Sequence, residues 1–416
     1  MSVAGFLLFI VLLVAVLGGI NALVFRWARN AFGLSRRSQR LLKTFLWLAI
    51  VGMILGRVAG RFWPGPLSTG VIAVCSTIQL AAIISGVLLM VADAVRLLWS
   101  LPGRLRRAAP VLAKADAPAL PASGLSLSVL PRRAILSQAV AGSAFLVGGS
   151  SALYGALKGR SDYSVEEVSF KLPGLSRGFD GFTIVQLSDV HIGAFTGAAE
   201  LAIAEDLVRK ARPDLIVLTG DLLDNDGRLA PVLGHFVRRL SPLAREGVVA
   251  ISGNHDFFAG VTEMAAAVRA AGGRILRNQG LVIGGADAGI ALLGVDDVWA
   301  RRRGAGPDLQ GAVAGLPQLG GKVAPALDLP RVLLCHNPSF FSEAAGQVAL
   351  QLSGHTHGGQ VNFGVRPADY VLPGGWVAGR YDLRGSALYV NRGFGTVGPP
   401  ARLFAPPEVT RIVLSA

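Results

Sequence analysis

The stretch Ser188-Asp189-Val190-His191-Ile192-Gly193 follows an apolar run, residues 182–187, that reads as a buried strand. An Asp and a His two residues apart at the tip of such a strand can point at one spot. Four later segments repeat the arrangement. Residues 215–219 end at Gly220-Asp221, and 248–251 at Gly253-Asn254-His255-Asp256. Residues 332–335 end at His336, and 348–352 at Ser353-Gly354-His355-Thr356-His357. Together they read as one metal site assembled from several loops.

The chain has 6 histidines. His191, His255, His336, His355 and His357 sit at strand ends beside Asp, Asn and Gly; His235 sits in a helical segment and reads as structural. The adjacent glycines let the backbone turn sharply and let an ion or phosphate approach.

Between the strands, residues 196–211 put Leu201, Ala204, Val208 and Ala211 on one face, with Pro213 past the end. Residues 228–245 and 262–271 are also helix-like. Residues 281–284 and 290–294 are short strands around a Gly-rich turn, and 388–390 and 409–414 supply late strands. A polar, Gly-rich excursion runs from 300 to about 326. Early strand–helix alternation and later strand-rich turns give an α/β fold, a β-sandwich flanked by helices. The polar clusters lie at strand carboxyl ends, the usual crevice edge.

A chain of 416 residues is too long for one ordinary core. The net charge of +14 would suggest a nucleic-acid binder, but its distribution argues otherwise. Residues 1–159 hold 16 Lys and Arg against Asp93 and Asp116 alone; residues 160–416 hold 24 of each sign. The excess therefore belongs to the hydrophobic half, and no nucleic acid is expected. The only cysteines, Cys75 and Cys335, fall in a membrane-like run and a buried strand, so neither a disulfide nor a thiolate metal site is expected.

Residues 2–25 are uncharged, long enough for a span of roughly 20 residues. Residues 44–55 are apolar, but Arg57 and Arg61 require snorkelling at an interface. Residues 71–92 form a clean run, and 134–157 another, rich in Gly, Ser and Ala. Arg-rich segments at 26–43 and 96–114 should both face the cytoplasm, which needs two crossings between them and makes the second run a real span. Four spans then put the N-terminus and everything after Lys158 outside. The fourth run opens with Pro131-Arg132-Arg133-Ala134-Ile135-Leu136, which fits a twin-arginine export signal and ordinary flanking arginines equally. The expected organisation is a three-span region at 1–103, a basic Pro/Ala-rich linker at 104–133, a fourth span or anchor at 134–158, and the site-bearing domain at 159–416. The expected location is the inner or plasma membrane, multi-pass, with that domain extracytoplasmic.

Asp189-Val-His191, Gly220-Asp221-Leu-Leu-Asp224, Gly253-Asn254-His255-Asp256, His336 and Gly354-His355-Thr-His357 resemble, in order, the five signature blocks of the calcineurin-like metallophosphoesterases. Tyr389-Val390-Asn391-Arg392-Gly393-Phe394-Gly395, with Pro406-Pro407-Glu408, further resembles their membrane-anchored YkuE-type branch. The resemblance covers about residues 165–414 and implies two divalent metal ions. Asp189, His191 and His357 would hold the first, Asn254, His336 and His355 the second, and Asp221 would bridge them. Mixed imidazole and oxygen ligands suit manganese, iron or zinc. The implied reaction is hydrolysis of a phosphodiester or pyrophosphate by metal-activated hydroxide. His255 would protonate the leaving oxygen and Asp224 would orient its ring. Without geometry, Asp224 is equally a turn residue capping the next helix. Asp256 reads as capping a helix or orienting a neighbour and falls outside the catalytic set.

Ser188, Ser353 and Thr356 are candidates to hydrogen-bond the ligands from behind, Asn391 and Arg392 read as loop-closing, and Arg301-Arg302-Arg303 as a solvated basic loop. The arginines that protein phosphatases of this family carry after the Asp and Asn-His blocks are replaced here by Asn225-Asp226 and Asp256-Phe257. That disfavours a phosphoprotein, and Phe257-Phe258 set apolar surface there instead. A lipid-linked or envelope substrate is the expectation. The alternatives are a UDP-diacylglucosamine-type pyrophosphatase, whose cytoplasmic substrate fits this topology poorly, and a non-catalytic metal- or phosphate-binding sensor module. Oligomeric state is left open.

Overall fold

The computed structural model describes residues 3–106, 132–285, 288–316 and 329–416. Most of the segment read as a linker, and much of the Gly-rich excursion, lie outside the described residues. Four long helices come first: α1 (Val3–Phe32), α2 (Arg36–Phe62), α3 (Pro66–Arg106) and α4 (Arg132–Leu157). All four are long and apolar enough to cross a membrane. The second run is unbroken helix, with Arg57 and Arg61 exposed in its last two turns. α3 continues past the uncharged run into residues read as linker.

The chain divides into two compact units, Met1–Val58 with Gly70–Leu153, and Ala59–Thr69 with Tyr154–Ala416. In the first, Asn21 Nδ2 donates to Gln79 Oε1 (3.3 Å), and Gln79 Nε2 to the Leu46 carbonyl (3.2 Å). Such mutual satisfaction is what polar groups require between apolar helices. Asp93 pairs with Arg26 and accepts from Trp27 Nε1 at 3.2 Å.

The second unit is built on two six-stranded sheets. The first contains β1 (Ser164–Lys171), β2 (Thr183–Leu187), β3 (Leu215–Thr219), β4 (Val248–Ile251), β5 (Arg274–Ile275) and the final strand β12 (Glu408–Ser415), in the order β1-β12-β2-β3-β4-β5. The second contains β6 (Gln279–Gly284), β7 (Gly289–Gly294), β8 (Arg331–Leu334), β9 (Leu350–Ser353), β10 (Gly379–Leu383) and β11 (Ser386–Val390), in the order β10-β11-β9-β8-β7-β6.

Side chains alternate between two cores because a strand has period two. Ile184, Leu215, Val217, Val249 and Ile251 face Leu292, Val332, Leu334, Leu350 and Leu352 in the core between the sheets. Val185, Leu187, Ile216, Leu218, Val248 and Ala250 face outward onto α5 (Ala198–Ala211), α6 (Ala230–Leu240) and α8 (Val261–Ala270). Short helices α9 (Leu309–Ala314) and α10 (Phe341–Ala344) cover the second sheet. The helix read over 228–245 is shorter: Pro231 and Pro242 each start a turn, leaving single 3₁₀ turns on either side of α6. Parallel β2, β3 and β4 on one side and β8 and β9 on the other bring their carboxyl ends to one edge.

Candidate metal centre

Every metal-ligand candidate from the sequence comes to that shared edge. Asp189, His191, Asp221, Asn254, His336 and His357 are buried, and His355 is partly so. Asp189, His191 and His357 form one group with ligand atoms within 4.8 Å of one another, and Asp221, His336 and His355 form a second. His191 Nε2 lies 3.1 Å from His357 Nε2, across 166 residues of sequence. His357 Nε2 lies 3.4 Å from Asp189 Oδ1. Asp221 stands between the groups: Oδ2 is 3.1 Å from His336 Nε2 and 3.8 Å from His191 Nε2.

Backbone hydrogen bonds fix both carboxylates. Asp189 accepts from the N–H of His355 at 3.0 Å, and Asp221 Oδ1 from the N–H of His255 at 2.8 Å. His336 Nδ1 is 2.8 Å from the Thr219 carbonyl. With the Nδ1 proton donated there, Nε2 faces Asp221 and His355, the arrangement by which a backbone carbonyl orients a metal-ligating imidazole. Asp189, His191, Asp221, His355 and His357 all hold φ between 48° and 74°. That left-handed backbone costs a non-glycine residue roughly 1–2 kcal/mol each, and such strain clusters at functional sites. Gly354 has no alternative, since a Cβ there would collide with Ser188 Oγ and Asp189 Oδ2.

Asn254 and His255 open the short helix α7 (Asn254–Ala259). Asn254 Oδ1, His191 Nδ1 and His255 Nδ1 are buried without hydrogen-bond partners. Buried polar atoms ordinarily find partners, so an unpaired amide oxygen on the residue next to His255, whose N–H bonds Asp221, fits a cation. Asp256 braces this corner: Oδ1 accepts the N–H groups of Leu222 and Leu223 and Oδ2 that of Gly253. From the third position of α7 it therefore closes the helix's first turn onto its N-cap, Gly253. The 3₁₀ turn that follows Asp224 is capped by Asp226. Asp224 Oδ1 lies 3.8 Å from His255 Nδ1, beyond hydrogen-bond distance.

Burial and proximity leave these groups electrostatically unsettled without a cation. Burial pushes Asp189 up, helped by Asp221 and opposed by His336. Burial would also raise Asp221, but His336 beside it overrides that and holds the carboxyl below its usual range. Burial opposes the His336 proton, yet Asp221 and Asp189 hold it well above the usual imidazole value. Burial lowers His191 to about 3 and His355 to about 4, and carries His357 well below its usual value. Imidazoles, three of them neutral, crowded around buried carboxylates are the donor set that a divalent cation satisfies.

Ser188, Ser353 and Thr356 donate to the carbonyls of Thr219, Cys335 and Val377. They stiffen the loops that carry the candidate ligands. Asn391 bonds Thr410 and Gly393, and Arg392 pairs with Glu166 and Glu408, so both close loops. Arg301 pairs with Glu343, and Arg302 stacks over Trp299. His235 is exposed on α6, and both cysteines are free.

Arg402 escaped the sequence reading. It is fully buried and donates to the carbonyls of Arg392, Gly393, Gly395 and Ala405, with Nη2 3.2 Å from His357 Nδ1. Its only sequence signal is isolation within the apolar, Pro-rich stretch 399–407.

Residues 182–359 match the family of calcineurin-like phosphoesterases. The chain is 31% identical over 290 residues to the uncharacterized metallophosphoesterase YkuE of Bacillus subtilis, covering 67% of this chain and 94% of that protein. It is 31% identical to the Bos taurus transmembrane protein with metallophosphoesterase domain, covering 63% of this chain and 59% of that protein. It is also 31% identical to the phosphodiesterase YaeI of Escherichia coli, covering 56% and 82%. Among solved structures, TT1561 of Thermus thermophilus is similar at 14% identity and a TM-score of 0.32, covering 51% of this chain and 90% of that one. The family match and the likeness to YkuE over 94% of its length, with the four apolar helices, establish that the chain belongs to the calcineurin-like phosphoesterases, as a membrane protein and metal-dependent phosphoric ester hydrolase.

Proposed function

We propose that the chain hydrolyses a phosphodiester or pyrophosphate bond at a dinuclear centre, on a lipid-linked or envelope substrate, with its catalytic domain outside the cytoplasm. The observation that carries the reading is Asp221 Oδ2, within 3.8 Å of both His336 and His191, with Asp189 Oδ1 3.4 Å from His357 and 4.0 Å from His336. Asp189, His191 and His357 would hold the first cation, Asn254, His336 and His355 the second, and Asp221 would serve both. Two bound divalent cations supply charge neutralisation at the phosphoryl oxygens and lower the pKa of the attacking water.

The remaining work falls to this chain's side chains. His255 sits at the rim, its ring 4.8 Å from that of His191, where it can contact phosphate and give a proton to the leaving oxygen. Asp224 turns that ring once substrate draws the pair together, since such contacts commonly tighten only in the complex. Phe258, half exposed 6.1 Å from the His255 ring, and Trp299 beyond it offer an apolar wall suited to a lipid-bearing ester. Even crossings between the Arg-rich segments support the extracytoplasmic side.

A second reading, a binding module that senses metal or phosphate without turnover, shares the ligand set. Full-length protein in nanodiscs should hydrolyse bis(p-nitrophenyl) phosphate with added manganese and lose that activity with chelator. Stoichiometric metal with no turnover on any ester would favour the binding module.

A further inference from the structure

Thr356 Oγ1 donates to the Val377 carbonyl at 2.6 Å, closing a loop that begins at the candidate ligand His357 and ends at residue 377. That loop is polar at its base, and its tip carries large apolar side chains around one ion pair, Arg366–Asp369. Gln360 binds the carbonyls of Val397 and Pro399. Beyond it, Phe363 is 47% exposed, Val365 61%, Tyr370 83% and Val371 76%, and Phe404 beside them is 79% exposed. Asn362 joins the two parts, its N–H donating to the Leu403 carbonyl and its Nδ2 to that of Phe404. Water-soluble surfaces seldom expose so many large apolar side chains together without something to cover them.

Neighbouring contacts indicate what covers this tip. The Arg402 N–H donates to the Gly155 carbonyl at 3.1 Å, and a Cβ on Gly155 would meet Leu403 at 3.3 Å. Gly155 lies in the last turn of α4, where its apolar stretch gives way to Lys158 and Arg160. A spanning helix leaves the hydrocarbon at such a boundary, with basic residues among headgroups. Phe404 is therefore two residues from a contact with the point where the chain leaves the bilayer.

We propose that residues 360–376, with Phe404, seat in the headgroup–acyl boundary of the bilayer that α4 crosses. Apolar tips with a Tyr hydroxyl among them suit that layer. The seat holds the metal cleft at the membrane surface, where the phosphoester of an anchored lipid can reach it. The inference rests on α4 spanning the membrane and, for the substrate, on the phosphoesterase reading above.

Nitroxide depth measurement tests it on the full chain, one copy per nanodisc. In a Cys75→Ser background, with buried Cys335 unreactive, labels go at Tyr370→Cys and Phe404→Cys. A control label goes at Lys210→Cys, at the sheet end opposite the metal loops. Oxygen should relax the first two labels more than an aqueous nickel chelate does, and the control should show the reverse. Water-exposed labels at 370 and 404, in protein that still hydrolyses a soluble diester, would overturn the seat and leave the phosphoesterase reading standing. Membrane-inserted labels in protein that cleaves no ester would do the opposite.

Discussion

The guanidinium of Arg402, fully buried, lies 3.2 Å from Nδ1 of His357, and its N–H groups are taken up by backbone carbonyls of the loop from Arg392 to Ala405. That loop in turn donates from Gly395 to the Asp189 carbonyl and from Phe394 to that of Ser188. One side chain thus ties both residues of the Asp189–His357 pair to a common frame. Burial pulls Arg402 down to about 10, so it remains charged at neutral pH. Lys keeps the charge but not the planar fork. The Arg402→Lys protein should fold yet bind metal about 10- to 100-fold more weakly. Metal content after dialysis against graded chelator checks this; an unchanged curve would remove Arg402 from the site.

His255 should matter in proportion to how badly the leaving group needs a proton. With an alkyl alcohol leaving, His255→Ala should lower turnover by about 10²–10⁴. With p-nitrophenolate leaving, the loss should be much smaller, and metal content should stay at the wild-type level in both cases. Equal losses on the two esters would show that His255 acts by binding phosphate rather than by giving up a proton.

Most of the site was legible because strand ends advertise it. β3 and β4 match the sequence reading residue for residue, since both faces are buried and a glycine punctuates each end. β1 was missed because Glu166, Glu167 and Lys171 interrupt its apolar pattern, and its partner Glu408 is far away in sequence. α7 is too short to show a helical period, and β10 carries outward Arg380 and Asp382. The helix-bracing role of Asp256 was among the sequence's options, but its bonds to Leu222 and Leu223, like those of Arg402, were hidden for another reason. Their partners are backbone groups brought together only by folding, and no spacing in the chain encodes that.

Asp256 makes a separate test of how the corner is held. Its carboxylate takes three backbone N–H groups from two different loops. In Asp256→Asn, an amide NH₂ must face either the Gly253 N–H or the Leu222–Leu223 pair, leaving buried donors opposed. The expected loss is about 1–3 kcal/mol, read as a drop of several degrees in the melting temperature of metal-stripped protein. Wild-type melting would mean that water replaces the carboxylate without cost.

Asp297 should leave a signature in the pH dependence of stability. Its Oδ1 accepts from the Trp299 N–H while Oδ2 is buried without a partner. Burial is the main cause that raises its carboxyl from 3.8 to about 6, against a lowering pull from His336. The folded state thus binds this proton more tightly than the unfolded chain does. Its stabilising contribution is complete below about pH 4 and fades as pH rises through about 6. Asn at this position keeps the neutral form and the bond to Trp299. In metal-stripped protein, Asp297→Asn should therefore gain stability over wild type between pH 4 and 7, by up to about 3 kcal/mol, and level off above that. Melting curves of the two proteins that stay parallel across this range would show that Asp297 is ionised at no cost.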